Sequence, residues 1–480
     1  MELDPVLLSR IQFAFVVSFH AIFPVFTIGL ASFIAFLEGL RLRTGNPLYE
    51  RLSKFWIEVF AVVFGMGVVS GIVMSFQFGT NWSNFAQATA NFMGPMLSYE
   101  VLTAFFLEAA FLGVLLFGRG KVPPGVFFFA ALMVAVGTMI STFWILSANS
   151  WMHTPGGFEI RDGTFHIVAW SEAIFNASFP WRFLHMVMAS FLTGALVVCA
   201  VSAWFLLRNR EVEAHRRALS MSLWMLLFLA PAQAVVGDFH GLNTLEHQPV
   251  KVAAMEGNWE RAGGVPLLLF ALPDQANQTN RFEVGIPYLA SLILTHELGG
   301  EVPGINETAV EEQPPVAIVF WSFRVMVAIG LLMIAFAITG LILRRGGQYW
   351  QKPWFLKGLT YMGITPFIAV LAGWITTEVG RSPWLVFGEM TQAQGVTPSL
   401  TGGMALFTLI GYVVVYAMVF TAGIYYLTRI FKAGLETEHT AIPQVERPKR
   451  PLSGSHVSFD DDQESDFRGS EQGGTPHGTL

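Results

Sequence analysis

The chain has 480 residues, 53% of them hydrophobic and only 13% charged, and its mean hydropathy is +0.52. Soluble domains average about 25% charged residues, so the composition excludes a soluble globular enzyme and points to a polytopic membrane protein. The net charge of −6 comes largely from loops and the tail, with no basic stripe interleaved with aromatics, which excludes a nucleic-acid partner.

Residues 1–10 lack the basic segment and small-residue cleavage site of a secretory signal, so the first apolar run is expected to stay as a membrane helix. Apolar runs of membrane-spanning length fall near 11–37, 55–78, 99–117, 125–147, 182–207, 219–238, 316–343, 358–378 and 403–428, about nine spans. Lys and Arg crowd alternate loops: Arg41 to Lys54, Arg119 and Lys121, Arg208 to Arg217, Arg344 to Lys357, then the C-terminal segment. Positive charge stays in the cytoplasm, which places the N-terminus in the periplasm and the C-terminus inside. The expected fold is therefore an all-α polytopic membrane protein. Spans one to six fill residues 1–238, an ordered outer loop fills 239–315, spans seven to nine fill 316–432, and 433–480 is an acidic, Gly/Ser/Pro-rich tail expected to be disordered. The one cysteine, Cys199, excludes an intrachain disulfide, a thiolate-held iron–sulfur cluster and C-x-x-C-H haem attachment. Inside span five it reads as a small hydrophobe.

Ionisable groups inside a bilayer are costly and mark sites. Of eleven histidines only His20 in span one and His185 in span five lie inside long apolar runs. Glu100, Glu108, Arg324, Met326 and Glu378 complete the short list; all but the deeper Glu108 are assigned, with the two histidines, to the outer half of the bilayer. Glu108 lies roughly 12 Å deeper than Glu100 at about 1.5 Å per helical residue. A carboxylate there should be buried, paired or on a proton path, with Ser141 of span four as a polar neighbour on a wire toward the cytoplasm.

Haem iron takes axial imidazole, thioether, thiolate or phenolate. His185 with Met326 would supply a six-coordinate electron-transfer pair. His20 would leave an iron position open for a gas, and Glu378 is a carboxylate candidate for another haem. Arg324 and Arg381 are placed for haem propionates. Each residue also has a plainer reading. Met326 is one of 19 methionines, most of them filler. A membrane histidine can simply bond a neighbouring helix. Glu100, opening span three, and Glu378, closing span eight, can simply face outer water, while Glu38 and Glu58 read as ordinary interfacial carboxylates. Lys251 and Glu256 read, on their own, as a solvated loop salt bridge.

Several stretches then carry a resemblance: Ser-Arg-Ile-Gln-Phe-Ala-Phe before His20, Phe-Phe-Leu-Glu-Ala at Glu108, Ser-Ala-Asn-Ser-Trp-Met at 147–152 and Gly-Asp-Phe-His-Gly at 237–241. They continue with Gln-Pro-Val-Lys-Val-Ala-Ala-Met-Glu at 248–256, Trp-Ser-Phe-Arg-Val-Met at 321–326 and Gly-Trp-Ile-Thr-Thr-Glu-Val-Gly-Arg-Ser-Pro-Trp at 373–384. Over about residues 5–430 the chain resembles subunit I of the cytochrome bd-type quinol oxidases, in the short-loop branch that includes cyanide-insensitive oxidases.

The resemblance implies that His185 and Met326 ligate a low-spin haem b supported by Arg324. It implies that His20 and Glu378 each serve one of two high-spin haems, one haem b and one haem d whose place haem b can take, in either order. Glu100 and Glu108 correspond to acidic residues at the di-haem site and on the proton route, and Lys251 and Glu256 to quinol-loop residues. His153 departs from the glutamine expected at its position and is assigned to an outer loop, away from any ligand. The implied protein sits in the bacterial inner membrane with cytochrome bd subunit II and small single-helix accessory subunits. It oxidises quinol, ubiquinol or menaquinol, at the periplasmic side and reduces dioxygen with cytoplasmic protons, building a proton motive force without pumping. A bc-type cytochrome b would need two His pairs 13–14 residues apart and a haem–copper oxidase several more membrane histidines, and neither pattern is present. The remaining alternative is a haem-free, proton-coupled transporter, which would purify colourless.

Overall fold

The computed structural model describes residues 3–435; most of the expected tail lies outside the described residues. Among them, nine helices are long and apolar enough to cross a membrane. They are Pro5–Thr44, Pro47–Thr80, Ala90–Phe117, Pro124–His153, Phe179–Leu206, Val212–His247, Val316–Arg345, Pro353–Val379 and Gly402–Ala433, called spans one to nine below. Proline at the first helical turn recurs at Pro5, Pro47, Pro124 and Pro353, where its missing N–H takes nothing from the helix. Asp4, Asn46 and Thr401 cap their helices by accepting from Val6, Leu48 and Met404 N–H.

The spans are longer than their apolar cores because polar turns continue the helices past the hydrocarbon-compatible stretch. Two boundaries move for this reason. Span six continues past residue 238 to His247, so the large inter-helix segment begins with the short helix Pro249–Glu256. Span three begins at Ala90, so Glu100 lies inside a span and does not open it.

The loops joining spans two–three, four–five, six–seven and eight–nine share one face. Phe387 N–H donates to Met152 C=O, Thr397 N–H to Asn81 C=O, and Gln248 to His153 C=O. Trp82, Phe85, Phe92, Trp151, Phe165, Val386 and Val396 make a small apolar core under these loops. Four two-stranded sheets also lie in these loops, the largest the antiparallel hairpin Leu267–Asp274 with Thr279–Ile286.

The opposite face carries the arginine-rich loops. There Glu38 is only 1% exposed: Arg119 donates to it at 2.6 Å, Arg41 at 3.3 Å, and Ser53 also bonds it. The interfacial reading of Glu38 is therefore corrected: it is the buried anion joining spans one and two to the loop after span three. Within the bundle, spans one and five cross where Gly29 meets Gly194. A Cβ on Gly29 would lie 2.3 Å from Ser190 C=O, and one on Gly194 2.8 Å from the Gly29 carbonyl carbon. Close backbone approach through small residues is how membrane helices pack. Cys199 is fully buried on span five.

Candidate functional site

The site is built from five spans, four to eight, and the short helix Pro249–Glu256, around a cavity of about 800 Å³, within the range of cofactor pockets. His185 of span five and Met326 of span seven both line it, as do Lys251, Glu256 and Arg324. His185 Nδ1 is buried without a hydrogen-bond partner among the described residues, and so is the indole N–H of Trp374 in the same cavity. Buried polar atoms are normally satisfied, so both mark a place where a polar or metal-bearing group fits. Gly373 and Gly237 clear the space. A Cβ on Gly373 would lie 2.9 Å from Met326 Sδ, and one on Gly237 3.4 Å from the His185 ring. The imidazole and thioether that haem iron takes thus come from separate spans into one largely apolar cavity. His240 also lines it, its ring edge-on to His185 at 5.3 Å between centroids.

Lys251 and Glu256 do not form the solvated salt bridge expected from sequence. They are 4% and 5% exposed and have different partners. Arg324 donates to Glu256 at 2.8 Å, to Met255 C=O at 3.0 Å and to Leu268 C=O. Burial raises the Glu256 carboxyl above its ordinary range, and Arg324 opposes part of that rise. Burial holds the Lys251 amine well below its ordinary value, and the nearby positive charges of Arg182 and Arg381 add to this.

Lys251 is hydrogen-bonded instead to His153, Nζ to Nδ1, at 3.1 Å. His153 is the last residue of span four and 2% exposed, so its assignment to an outer loop is corrected. Its Nε2 lies 3.1 Å from Glu378 Oε1, which also accepts from Asn149 at 3.0 Å. Arg381 engages Glu378 Oε2 through both Nε, at 3.0 Å, and a second guanidinium nitrogen, and Arg182 stands 3.9 Å from Oε1. Two consequences follow. A carboxylate has about four lone-pair positions, and these donors fill them, so iron ligation by Glu378 requires one donor to turn away. Two buried guanidiniums, Arg182 and Arg381, face this single carboxylate, with the Lys251 amine beyond His153. Buried charge calls for a partner, and anionic groups such as haem propionates fit that excess.

His20 of span one is placed by span two. Ser70 Oγ donates to Gly67 C=O at 2.9 Å and lies 2.9 Å from His20 Nδ1. With its one hydrogen on Gly67, Ser70 accepts from Nδ1–H, which leaves the His20 Nε2 lone pair for a metal. Tyr416 fixes Ser70 by donating to its C=O at 3.2 Å.

Glu100 and Glu108 sit on span three on either side of the π-helical turn Val101–Phe105. A π-turn absorbs about one extra residue. Glu108 therefore sits as if about seven positions, two full turns, from Glu100, and both carboxyls point at span four. Ser141 donates to Glu100 Oε1 at 2.8 Å. Glu108, 6% exposed, packs over Gly137, one turn before Ser141, and its Oε1 has no partner among the described residues. Ser141 thus partners Glu100 and not Glu108.

Sequence reasoning missed His153, Arg182, Asn149, Gln248 and His240. His240 and Gln248 sat inside quoted motifs, and Asn149 in Ser-Ala-Asn-Ser-Trp-Met. Arg182 showed no signal beyond a lone charge at the head of span five.

Fold and site together define a polytopic membrane protein with a cofactor-sized, largely apolar cavity inside its helix bundle. Residues 8–435 match the sequence profile of cytochrome bd terminal oxidase subunit I. Among relatives, cytochrome bd ubiquinol oxidase subunit 1 of Bacillus subtilis (strain 168) is 35% identical, with 92% of this chain and 97% of that protein covered. Cytochrome bd-II ubiquinol oxidase subunit 1 of Escherichia coli (strain K12) is 31% identical, covering 90% of this chain and 97% of that protein. The structure of bd oxidase from Geobacillus thermodenitrificans is similar with a TM-score of 0.83 at 30% identity, covering 90% of this chain and 99% of that one. The chain belongs to the cytochrome bd terminal oxidase subunit I family. It is a multi-pass bacterial inner-membrane protein, one subunit of a haem-containing terminal quinol oxidase that works with a subunit II.

Proposed function

We propose that the chain takes electrons from quinol at its periplasmic face and supports the reduction of dioxygen to water with protons drawn from the cytoplasm, which builds a proton motive force without pumping. The observation that carries this reading is one cavity lined by His185 and Met326 together with Lys251 and Glu256. A donor site for two electrons and an axial ligand pair thereby share a wall. Orientation rests on the arginine-rich face: positive loops stay cytoplasmic, so the face bearing Lys251, with the N-terminus, is periplasmic and the C-terminus cytoplasmic.

Bound haem supplies the one-electron carriers and the iron at which dioxygen is reduced. His185 and Met326 would hold the low-spin haem b. His20 and Glu378 would serve the two high-spin haems, b-type and d-type, Glu378 only if one of its present donors turns away. Lys251 donates to a quinol oxygen. Glu256 accepts a quinol proton, and Arg324 orients it. Glu100, Ser141 and Glu108 line one face between spans three and four and carry protons from the cytoplasmic side. Subunit II and small single-helix accessory subunits cover the lipid-facing helices. Family membership leaves nothing to favour the haem-free transporter.

The test is Met326→Leu in the purified complex. The swap nearly conserves volume and costs less than about 1.5 kcal/mol in packing, so the protein should assemble. It removes the thioether, so the six-coordinate low-spin spectrum should become high-spin and quinol-driven oxygen consumption should fall. An unchanged low-spin spectrum in this variant defeats the ligand assignment.

A further inference from the structure

The buried chain Lys251–His153–Glu378 joins two sites that the proposed function treats separately. Glu378, ion-paired with Arg381, only accepts, so His153 Nε2 carries the ring hydrogen and donates to Glu378 Oε1, which leaves the Nδ1 lone pair to accept from Lys251 Nζ–H; both contacts are 3.1 Å. The ring is held on its other sides as well. Its backbone C=O accepts from Gln248 at 2.7 Å, at the start of the helix that carries Lys251. The aliphatic stem of Lys251 lies over Gly380, where a Cβ would come within 2.9 Å of its Cγ. Lys251, His153 and Gln248 are all fully buried, so each hydrogen bond here carries the full desolvation penalty if broken.

We propose that His153 is a positioning residue whose single ring sets the Lys251 amine for quinol and the Glu378 carboxylate for its haem at once. The two sites are therefore geometrically coupled. This inference rests on the proposed quinol and haem roles of Lys251 and Glu378.

The experiment uses the purified two-subunit complex. His153→Leu removes both bonds at similar volume. The quinol KM should rise roughly tenfold, the equivalent of one buried hydrogen bond, with a smaller change in kcat. The midpoint potential and optical band of the high-spin haem beside Glu378 should move in the same variant. His153→Gln keeps an acceptor and a donor on one side chain and should return both readouts close to those of the unaltered protein. A His153→Leu complex that loses only thermal stability, with unaltered KM and potential, overturns the proposal. Where His153→Leu fails to assemble, Lys251→Met is read at the far end. A shifted high-spin potential supports the bridge, and an unaltered one overturns it. Absence of haem in the unaltered complex would overturn the oxidase reading itself, a result distinct from haem-replete variants without coupling.

Discussion

A carboxyl group inside a membrane helix persists only when it is paired, kept neutral or in use. Glu108 has no salt-bridge partner among the described residues and one unsatisfied oxygen, and packs against Gly137. A structural role would have given it an arginine, as Glu38 has. Glu108→Leu should therefore leave haem that quinol reduces while steady-state oxygen consumption drops roughly hundredfold, the scale of a lost proton-transfer group. Unaltered consumption in an oxygen electrode would remove Glu108 from the route. Glu256 makes a pH prediction. Only its carboxylate form can accept a quinol proton, so kcat/KM should rise with pH through its titration. Burial displaces that titration upward, so the acid limb should sit at higher pH than an exposed glutamate gives. Glu256→Gln should abolish the limb, and a variant profile that keeps it contradicts the role. At this scale legibility was uneven. His20 and His185 stood out because histidine is rare in apolar runs. Met326 was indistinguishable from filler without its motif. His153 was misplaced because Thr-Pro after it resembles the start of a loop, whereas the helix holds until the ring is buried.

At the scale of elements, ligand geometry depends on glycines that no ligand search would flag. A Cβ at Gly373 would come within 2.9 Å of Met326 Sδ, closer than van der Waals contact. Gly373→Ala should leave the fold intact, because the neighbour that must yield is the end of a flexible side chain. It should displace the thioether and weaken the low-spin optical band. A fully retained low-spin band would show that Met326 is not held there. The π-turn Val101–Phe105 acts similarly: it aligns Glu100 and Glu108 on one face. Eight residues of uninterrupted α-helix would have set them about 80° apart at about 100° per residue. Span existence was readable from hydropathy, since about twenty apolar residues have few other fates. Span ends were not, because helices such as Val212–His247 continue into polar sequence whose propensity is adequate and whose caps lie elsewhere. The π-turn left no trace in Val-Leu-Thr-Ala-Phe.

For the whole molecule, the loop face gathers Lys251, Glu256, the His185/Met326 cavity and the Glu378 cluster, while the opposite face gathers arginines. In the proposed function this separation puts proton release and proton uptake on different sides. The alternation of charged loops was legible in the sequence. The buried basic cluster around Glu378 was not, because Arg182, Lys251 and Arg381 come from three distant segments. Three haems on His20, His185, Met326 and Glu378 have a direct optical readout: a dithionite-reduced minus oxidised spectrum of the purified complex, with the extracted haems identified. The expected result is one low-spin b-type band together with high-spin signals from two further haems, b- and d-type, or b-type alone where haem b takes the place of d. Correctly assembled protein that yields no haem, or a single haem, would contradict it.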